Sequence, residues 1–439
     1  MHAQDSPSQI REESIRLYSI RAERIRAFDR CKPRVLTFAG IVDESVVPRT
    51  KEPRVTIVTL NMNGWQNTIE CLESVLRTDY PSFDLIIVDN ASTDESVEKI
   101  TEFLEEERSA SSELLSTLPG RIRETRMVQY SREETDRIQP ENLKTQYEDK
   151  RVRVVIIRNE SNRGFAEGNN IAVRYALRSL SPDYLLLLNN DTVVHPSFLD
   201  ELVRTAQSDT GIGLVQSKLL NYDDLTINNI GGVCDSFGFV AQRGKYEAND
   251  GRYDQLTNTG FFYTCAACLL VSKMLAQKLK EGLFDDELFA YHEDLDLSWD
   301  ARLMGLKVVY CPTSICLHKE GKTSGGANQM TAYWSYRNRL RVLTKNYSKH
   351  NLILTLPVAL TGPFLSLLVS YLRTRELPYV RSLVRGLVWN IRNLGDTLDK
   401  RKLIQSLRVV GDASIRNYMV RDPLTVAKRS SASSTHRRG

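Results

Sequence analysis

Asp183-Tyr184-Leu185-Leu186-Leu187-Leu188-Asn189-Asn190-Asp191-Thr192-Val193-Val194-His195-Pro196 sets the architecture of this chain. Four consecutive leucines behind Tyr184 are apolar on both faces, as in a strand covered on both sides within a mostly parallel sheet. The run ends abruptly at Asn189-Asn190-Asp191-Thr192, so two amides and a carboxylate stand where the strand leaves the core. Ligands of open α/β sheets bind just beyond the carboxyl ends of the strands. A hard cation such as Mg2+ or Mn2+ carrying a diphosphate takes oxygen ligands of this kind. Taken alone, the same tetrapeptide reads first as a polar turn closing a buried strand, so the flanking sequence has to decide.

Outward from this strand the pattern repeats. Val55–Leu60 is β-branched and ends at Asn61-Met62-Asn63-Gly64, and a helical stretch follows with Ile69, Leu72, Val75 and Leu76 at helical spacing. Asp84–Val88 predicts a second strand ending at Asp89-Asn90-Ala91-Ser92-Thr93-Asp94, where Ser92 or Asp94 would cap the next helix. Val152–Ile157 predicts another strand, followed by Asn159, Asn162-Arg163-Gly164 and a helix from Ile171 to Leu180. Strand, helix, strand with short polar exits is the mark of right-handed βαβ units. Further strands are predicted at Ile212–Gln216, Thr264–Val271 and Lys307–Tyr310, and a helix with an acidic first turn near Glu293. Residues 104–150 are charged and poor in apolar groups and read as an insertion, helical or without fixed structure.

At 439 residues the chain exceeds one usual core, so a large domain with additions is expected. The net charge of +4 conceals an asymmetry, because residues 373–439 carry 15 lysines and arginines against 5 acidic residues. A basic end suggests an anionic surface; no nucleic-acid module accompanies it, so a membrane is favoured. No charged residue lies between His350 and Arg373, a stretch long enough to cross a bilayer core, although Pro357 and Pro363 interrupt it. Arg381, Arg385 and Arg392 then recur among leucines and valines, as in an interfacial amphipathic helix. Seven scattered cysteines argue for reduced thiols in a cytosolic setting, and Met1–Pro7 has no apolar signal region. Cys265-x-x-Cys268 has no second pair to complete a zinc site and reads as small apolar packing. The first strand exits without G-x-G-x-x-G, which argues against a dinucleotide-dependent oxidoreductase.

In order along residues 54–345, these motifs resemble family 2 glycosyltransferases of the GT-A fold, and among them the rhamnosyltransferase-like members that build surface glycans. The likeness rests on Thr59-Leu60-Asn61, Val88-Asp89-Asn90-Ala91-Ser92-Thr93-Asp94, Asn162-Arg163-Gly164-Phe165-Ala166 with Gly168-Asn169-Asn170, and Leu188-Asn189-Asn190-Asp191-Thr192. It continues through Tyr291-His292-Glu293-Asp294-Leu295-Asp296-Leu297 and His318 before a Gly/Ser loop. The resemblance implies a Rossmann-like α/β domain over 54–345, after an extension (1–53) and before a helical, membrane-associated region (346–425) and a Ser/Arg tail (426–439).

It further implies that Thr59, Asn61, Asp89, Asn90, Arg163, Gly164, Asn169, Asn189 and Asn190 line a nucleotide-sugar site. Asp191 and His318 would hold Mg2+ or Mn2+, with Asn189 standing where the family has the first acid of Asp-x-Asp. Asp294, with Glu293 beside it, would serve as base, since one carboxylate assisting direct attack inverts the anomeric carbon. The expected partners are a nucleoside-diphosphate sugar, a lipid-linked saccharide or polysaccharide acceptor, and the cytoplasmic face of the cell membrane reached through the C-terminal helices, peripherally or by a single or re-entrant anchor. A second copy of the chain is left open, and a catalytically silent nucleotide- or membrane-binding relative is the alternative. Asp296, His292 and His195 are expected to be structural, and Lys322 and Arg337 to decorate the surface unless they touch phosphate.

Overall fold

The computed structural model describes residues 52–105, 123–138, 151–257, 260–280, 282–319, 329–374 and 380–421. Most of the 1–53 extension, Lys322 in the Gly/Ser loop after His318, and the 426–439 tail lie outside them.

The leucine run forms β5 (Tyr184–Leu188), and its alternating side chains divide between two cores. Leu185 and Leu187 enter the core that also holds Val58, Ile86 and Trp299. Leu186 and Leu188 enter the other, with Ile57, Ile87 and Phe198. Such a strand needs cover on both faces, and helices supply it. Around β5 stand β1 (Val55–Asn61), β2 (Phe83–Asp89), β3 (Thr125–Ser131) and β4 (Val152–Arg158), ordered β3-β4-β2-β1-β5 and all parallel. Beyond β5 the sheet continues through β11 (Cys268–Ser272), β7 (Ile212–Asn221), β12 (Lys307–His318) and β6 (Thr192–Val194). Here β11 runs antiparallel to both neighbours, while β12 is parallel to β7. The short strands β8 (Ile227–Asn229), β9 (Gly232–Cys234) and β10 (Val240–Gln242) form the side wall that the Gly- and Asn-rich segment after Asn221 suggests. This is the expected mostly parallel α/β architecture with flanking helices.

Several elements differ from the expectation. Residues 125–131, inside the presumed insertion, are the edge strand β3, which pairs with β4 from Thr125↔Val152 to Ser131↔Arg158. An edge strand is half-solvated and carries polar groups, so Thr-Arg-Met-Val-Gln-Tyr-Ser gives only a weak strand signal. A capping box between Ser131 and Glu134 then starts α3 (Arg132–Arg137). The helix expected from Ile171 starts earlier, as α4 (Gly164–Tyr175), because Gly164 with φ +73° makes the turn into it. It ends in a π-type turn at Ala176–Leu180. Strand β12 runs on through Pro312 to His318, with its register slipping between Cys311 and Ile315 where the proline cannot donate. Residues Thr264–Ala267 form no strand; they run as a segment beside Asn189, whose N–H donates to Ala267 O (2.9 Å).

The C-terminal helices are built into the same body. They are α8 (Gln329–Asn346), α9 (Lys349–Thr374), α10 (Val380–Arg392), α11 (Leu394–Leu407) and α12 (Asp412–Arg416). Tyr336, Leu343, Ala359, Leu383, Ile404 and Ile415 share the core of Trp299 and Leu303. Arg341 is bidentate to Asp285 (2.7 and 2.8 Å) and also reaches Asp396. The N–H of Val409 donates to Leu303 O (2.7 Å). The boundary placed between 345 and 346 thus falls at the end of a helix that packs on both sides of it.

Candidate active site

The parallel register β1–β2 sets Asn61 beside Asp89 at the carboxyl edge of the sheet. Asn61 Nδ2 donates to Asp89 Oδ1 (3.0 Å), and Ser92 reaches the same carboxylate through its hydroxyl (2.5 Å) and its N–H (3.0 Å). Ser92 therefore serves Asp89, and Asp94 takes the capping role by accepting from Ser96 N (3.1 Å). Thr68 Oγ1 donates to Asn61 Oδ1 and accepts from Asn190 Nδ2 (3.0 Å), so Asn61 and Asn190 meet through a threonine that sequence reasoning did not single out. Asn90 gathers the next loop: its Oδ1 accepts from Arg163 N (2.9 Å) and Asn159 Nδ2 (3.1 Å), and its Nδ2 reaches Gly164 O. Arg163 itself is exposed, while Thr59 lies buried within β1 with its hydroxyl unpartnered. Asn169 is buried inside α4 and donates to Phe165 O (2.8 Å), away from Asp89 and Asn61 in its bonding.

Asp191 and His318 meet because β12 pairs with β6 in the register His318↔Thr192. His318 Nε2 stands 3.3 Å from Asp191 Oδ1. Its Nδ1 contacts Asn228 Oδ1 (3.1 Å), and Asn228 is oriented by donating its own amide to Asn221 (2.8 Å). The amide oxygen facing Nδ1 favours the tautomer with a proton there, and in that tautomer Nε2 turns a lone pair to the carboxylate. A proton or a divalent ion would each bridge these two atoms, and an imidazole nitrogen beside a carboxylate is a donor set that fits a divalent ion. Among the described residues no third His, Cys, Asp or Glu joins the pair. Burial alone would raise the Asp191 carboxyl, but the contact with His318 and the charge of Lys319 outweigh it and keep the group below the usual carboxylate range. Lys319, also unanticipated, donates to Asn67 (2.7 Å) and pairs with Glu70, which fastens the end of β12 to α1 (Trp65–Val75).

The acidic pair heads α7 (Glu293–Leu303). Before it, Phe289, Tyr291 and His292 all have positive φ (62°, 70° and 72°), a costly conformation for side chains of this size. Helix α8 holds the turn in place. The fully buried Asn338 amide lies within 2.7–2.8 Å of the carbonyls of Leu288, Ala290 and Tyr291. Arg337, far from decorating the surface, is buried between Trp334 and Trp389 and donates to Leu288 O (3.0 Å). The same turn touches the loop of α4, since Phe289 O accepts from Phe165 N (2.6 Å) and Ala166 N (3.1 Å). A Cβ at Gly164 would stand 2.5 Å from the Phe289 ring, so only glycine fits there.

Desolvation pushes the Asp294 carboxyl up to about 7, against the opposing bond from Leu295 N (2.7 Å). Desolvation and then the Asp294 charge raise Glu293 likewise, and Glu293 Oε2 is buried without a partner. Asp296, two residues on, points away to bond Lys345 and Asn346. His292 is held neutral, its imidazole pushed down to about 3 by burial and then by Arg339. His195 Nδ1 contacts Ser197 (2.9 Å). The two acidic regions connect through one wall. Asn228, which contacts His318, is followed by Asn229, which accepts from Gln216 Nε2 (3.2 Å); Gln216 in turn accepts from Cys265 N (2.7 Å). Two residues before Cys265, Tyr263 feels the charges of Asp294 and Glu293; burial first and then these charges hold its phenol well above its usual range.

Two family models match the chain: "Glycosyl transferase family 2" over residues 55–112 and "Glycosyltransferase like family 2" over 126–337. Among curated proteins, it is 22% identical over 240 residues to the low-salt glycan biosynthesis hexosyltransferase Agl10 of Haloferax volcanii, covering 53% of this chain and 74% of that one. It is 28% identical over 193 residues to the O-antigen biosynthesis protein RfbC of Myxococcus xanthus, covering 41% of this chain but only 15% of that relative. Among solved structures, the mannosyltransferase PcManGT of Pyrobaculum calidifontis, in complex with GDP-Man and Mn2+, aligns with 89% of this chain and 93% of its own (15% identity, TM-score 0.43). S. aureus TarS 1–349 with UDP-GlcNAc aligns with 88% and 92% (12% identity, TM-score 0.44).

Proposed function

From the premise that the chain carries a family 2 glycosyltransferase domain and is a hexosyltransferase using nucleotide-activated sugars, we propose that it inverts the anomeric carbon with divalent-metal assistance. In this reading the acceptor is a lipid-linked saccharide or a growing surface polysaccharide. The observation that carries it is the poorly solvated carboxylate of Asp294, whose preceding turn bonds the Asn90-tethered loop through Phe289 O, in a fold that also brings Asp191 and His318 together at a strand end.

The nucleotide lies against Asp89, Asn61 and the Asn90-tethered loop at Arg163-Gly164. Asp191 and His318 would hold Mg2+ or Mn2+, which when bound supplies positive charge to the leaving diphosphate. Asp294 takes the proton of the acceptor hydroxyl while its oxygen bonds to the anomeric carbon. The sugar–phosphate bond breaks on the opposite face, so configuration inverts and nucleoside diphosphate leaves. Raising the carboxyl toward neutral pH strengthens it as a base and leaves a useful fraction ionised. Glu293, more reluctant to ionise, keeps a second negative charge away from Asp294.

The test is nucleoside diphosphate release across a donor panel: dTDP-rhamnose first, then GDP-mannose, UDP-N-acetylglucosamine and UDP-galactofuranose. Release with one donor that is lost on chelation and restored by Mn2+ or Mg2+ is the expected outcome. Release unaffected by chelation would overturn the metal assignment, and an α-linked product from an α-linked donor would overturn inversion.

A second expectation concerns Asn338, which touches the turn and not the reactants. Asn338→Ala is expected to lower kcat roughly ten- to a hundredfold, since small misplacements of a base are expensive, with donor affinity nearly unchanged. If donor affinity falls in step with kcat, the residue is supporting the whole domain and not the base.

A further inference from the structure

We propose that α9 and α10 together form an in-plane seat on an anionic bilayer surface, and that α9 does not cross the membrane. The inference deepens the membrane part of the reading above and is tested apart from sugar transfer.

Over Lys349–Val369, α9 is long and apolar enough to span. Its outward face is a continuous stripe of Ile353, Leu354, Val358, Leu365, Leu368 and Leu372, with Leu365 62% and Leu372 63% exposed. Soluble surfaces rarely leave so much apolar area in water. The inward face is tied down. Thr355 and Ala359 are buried, and Leu352, Leu356, Phe364 and Leu367 pack on the core. Pro363 has no N–H, so it leaves Ala359 O without its helical donor. Arg339 on α8 fills that place (3.0 Å), and Tyr336 OH donates to the next carbonyl, Leu360 O (3.2 Å).

A spanning α9 would therefore have to carry α8 into hydrocarbon. Helix α8 brings Arg337, Arg341 and Lys345, which are committed to the catalytic turn, Asp285 and Asp296. Charges inside a bilayer are costly, and these have their partners already. An interfacial helix asks only for an apolar outer face, and α9 has one.

Charge names the surface. On α10, Val384, Val388 and Ile391 are exposed in one stripe, with Arg381, Arg385 and Arg392 exposed in the next. At 100° per residue the two stripes are adjacent, while Ser382, Leu383 and Gly386 on the far side are buried. Lys349 and His350 are exposed where α9 begins, and α9 holds no acidic residue. An apolar stripe edged with arginine fits the headgroup region of an anionic leaflet. Because α8 holds α9 through Arg339 and Tyr336, stacks Arg337 on Trp389 of α10, and holds the turn before Asp294 through Arg337 and Asn338, lipid-borne acceptors would be presented on the side of the Asp294 turn.

The experiment is flotation of the full chain with phosphatidylcholine vesicles, with and without phosphatidylglycerol, followed by alkaline carbonate. Binding to the anionic vesicles, released by carbonate, is expected. Leu365→Glu with Leu372→Glu should abolish it with unchanged thermal unfolding, and Arg381→Glu with Arg385→Glu should weaken it roughly tenfold or more. Carbonate-resistant insertion overturns the in-plane seat. Absence of flotation, or a Leu365→Glu-sensitive dimer that does not float, overturns the membrane as occupant. Donor hydrolysis in detergent-free buffer, measured alongside, reports separately on the sugar-transfer reading.

Discussion

Asp294→Asn is expected to abolish glycosyl transfer, by roughly a thousandfold or more as for loss of a general base, while donor affinity stays within a few-fold. Stability should move the other way. The folded carboxyl titrates near 7, well above an ordinary aspartate, so the folded protein prefers it protonated. Such a group favours folding at low pH, and that contribution disappears as pH rises through the folded value. At pH 8 the wild-type protein carries a poorly solvated charge that asparagine lacks. The variant should then be more stable on the order of 1–3 kcal/mol, a gain that fades below about pH 4, where the aspartate is neutral in both states. Removing the Asp294 charge also eases ionisation of Glu293, since that charge is the second cause of its upward shift. Paired donor titrations, transfer assays and chemical denaturation at two pH values check all of this. Wild-type turnover in the variant would mean that the base is elsewhere.

The other large effect is on the scaffold. Lys345→Met should destabilise the protein by roughly 3–5 kcal/mol, the range for a buried ion pair stripped of one partner. Lys345, a residue 3% exposed, sets its Nζ 3.0 Å from Asp300 Oδ2 and also binds Asp296, whose other oxygen accepts from Asn346 Nδ2 (2.9 Å). Burial already lifts both aspartates, with the lysine opposing that rise. Without the cation they rise further, so the defect should be largest above neutrality and shrink on acidification, as protonation removes the stranded charges. Adding Asp296→Asn and Asp300→Asn should recover much of the loss, because a neutral cluster has no charge left to bury. Equal destabilisation at pH 5 and pH 8 would show that lost packing, not charge, dominates.

Both effects arise where distant segments meet, and there the sequence and the fold divide the explanation. The leucine strand, the polar exits at Asn61, Asp89 and Asn189, and the acidic start of α7 were legible because periodicity and abrupt polarity changes are local. Edge strand β3 was not, because a half-solvated strand looks like a charged loop until its partner β4 is known. Local rules left Ser92 and Asp94 both open as caps; the Asp89 carboxylate three residues before Ser92 takes its hydroxyl and N–H, which leaves the cap to Asp94.

By itself the chain determined its layered α/β class, the order of its motifs and the residue types gathered at the strand ends, since each follows from hydrophobic patterning along a few consecutive residues. Only the tertiary structure decided that His318 turns its Nε2 to Asp191, that Asn338 holds the left-handed turn before Asp294, and that α9 is tied to α8 at the carbonyl Pro363 leaves open. These are long-range pairings whose energy depends on burial and on which donors remain unpaired, and neither quantity exists until the chain has closed on itself.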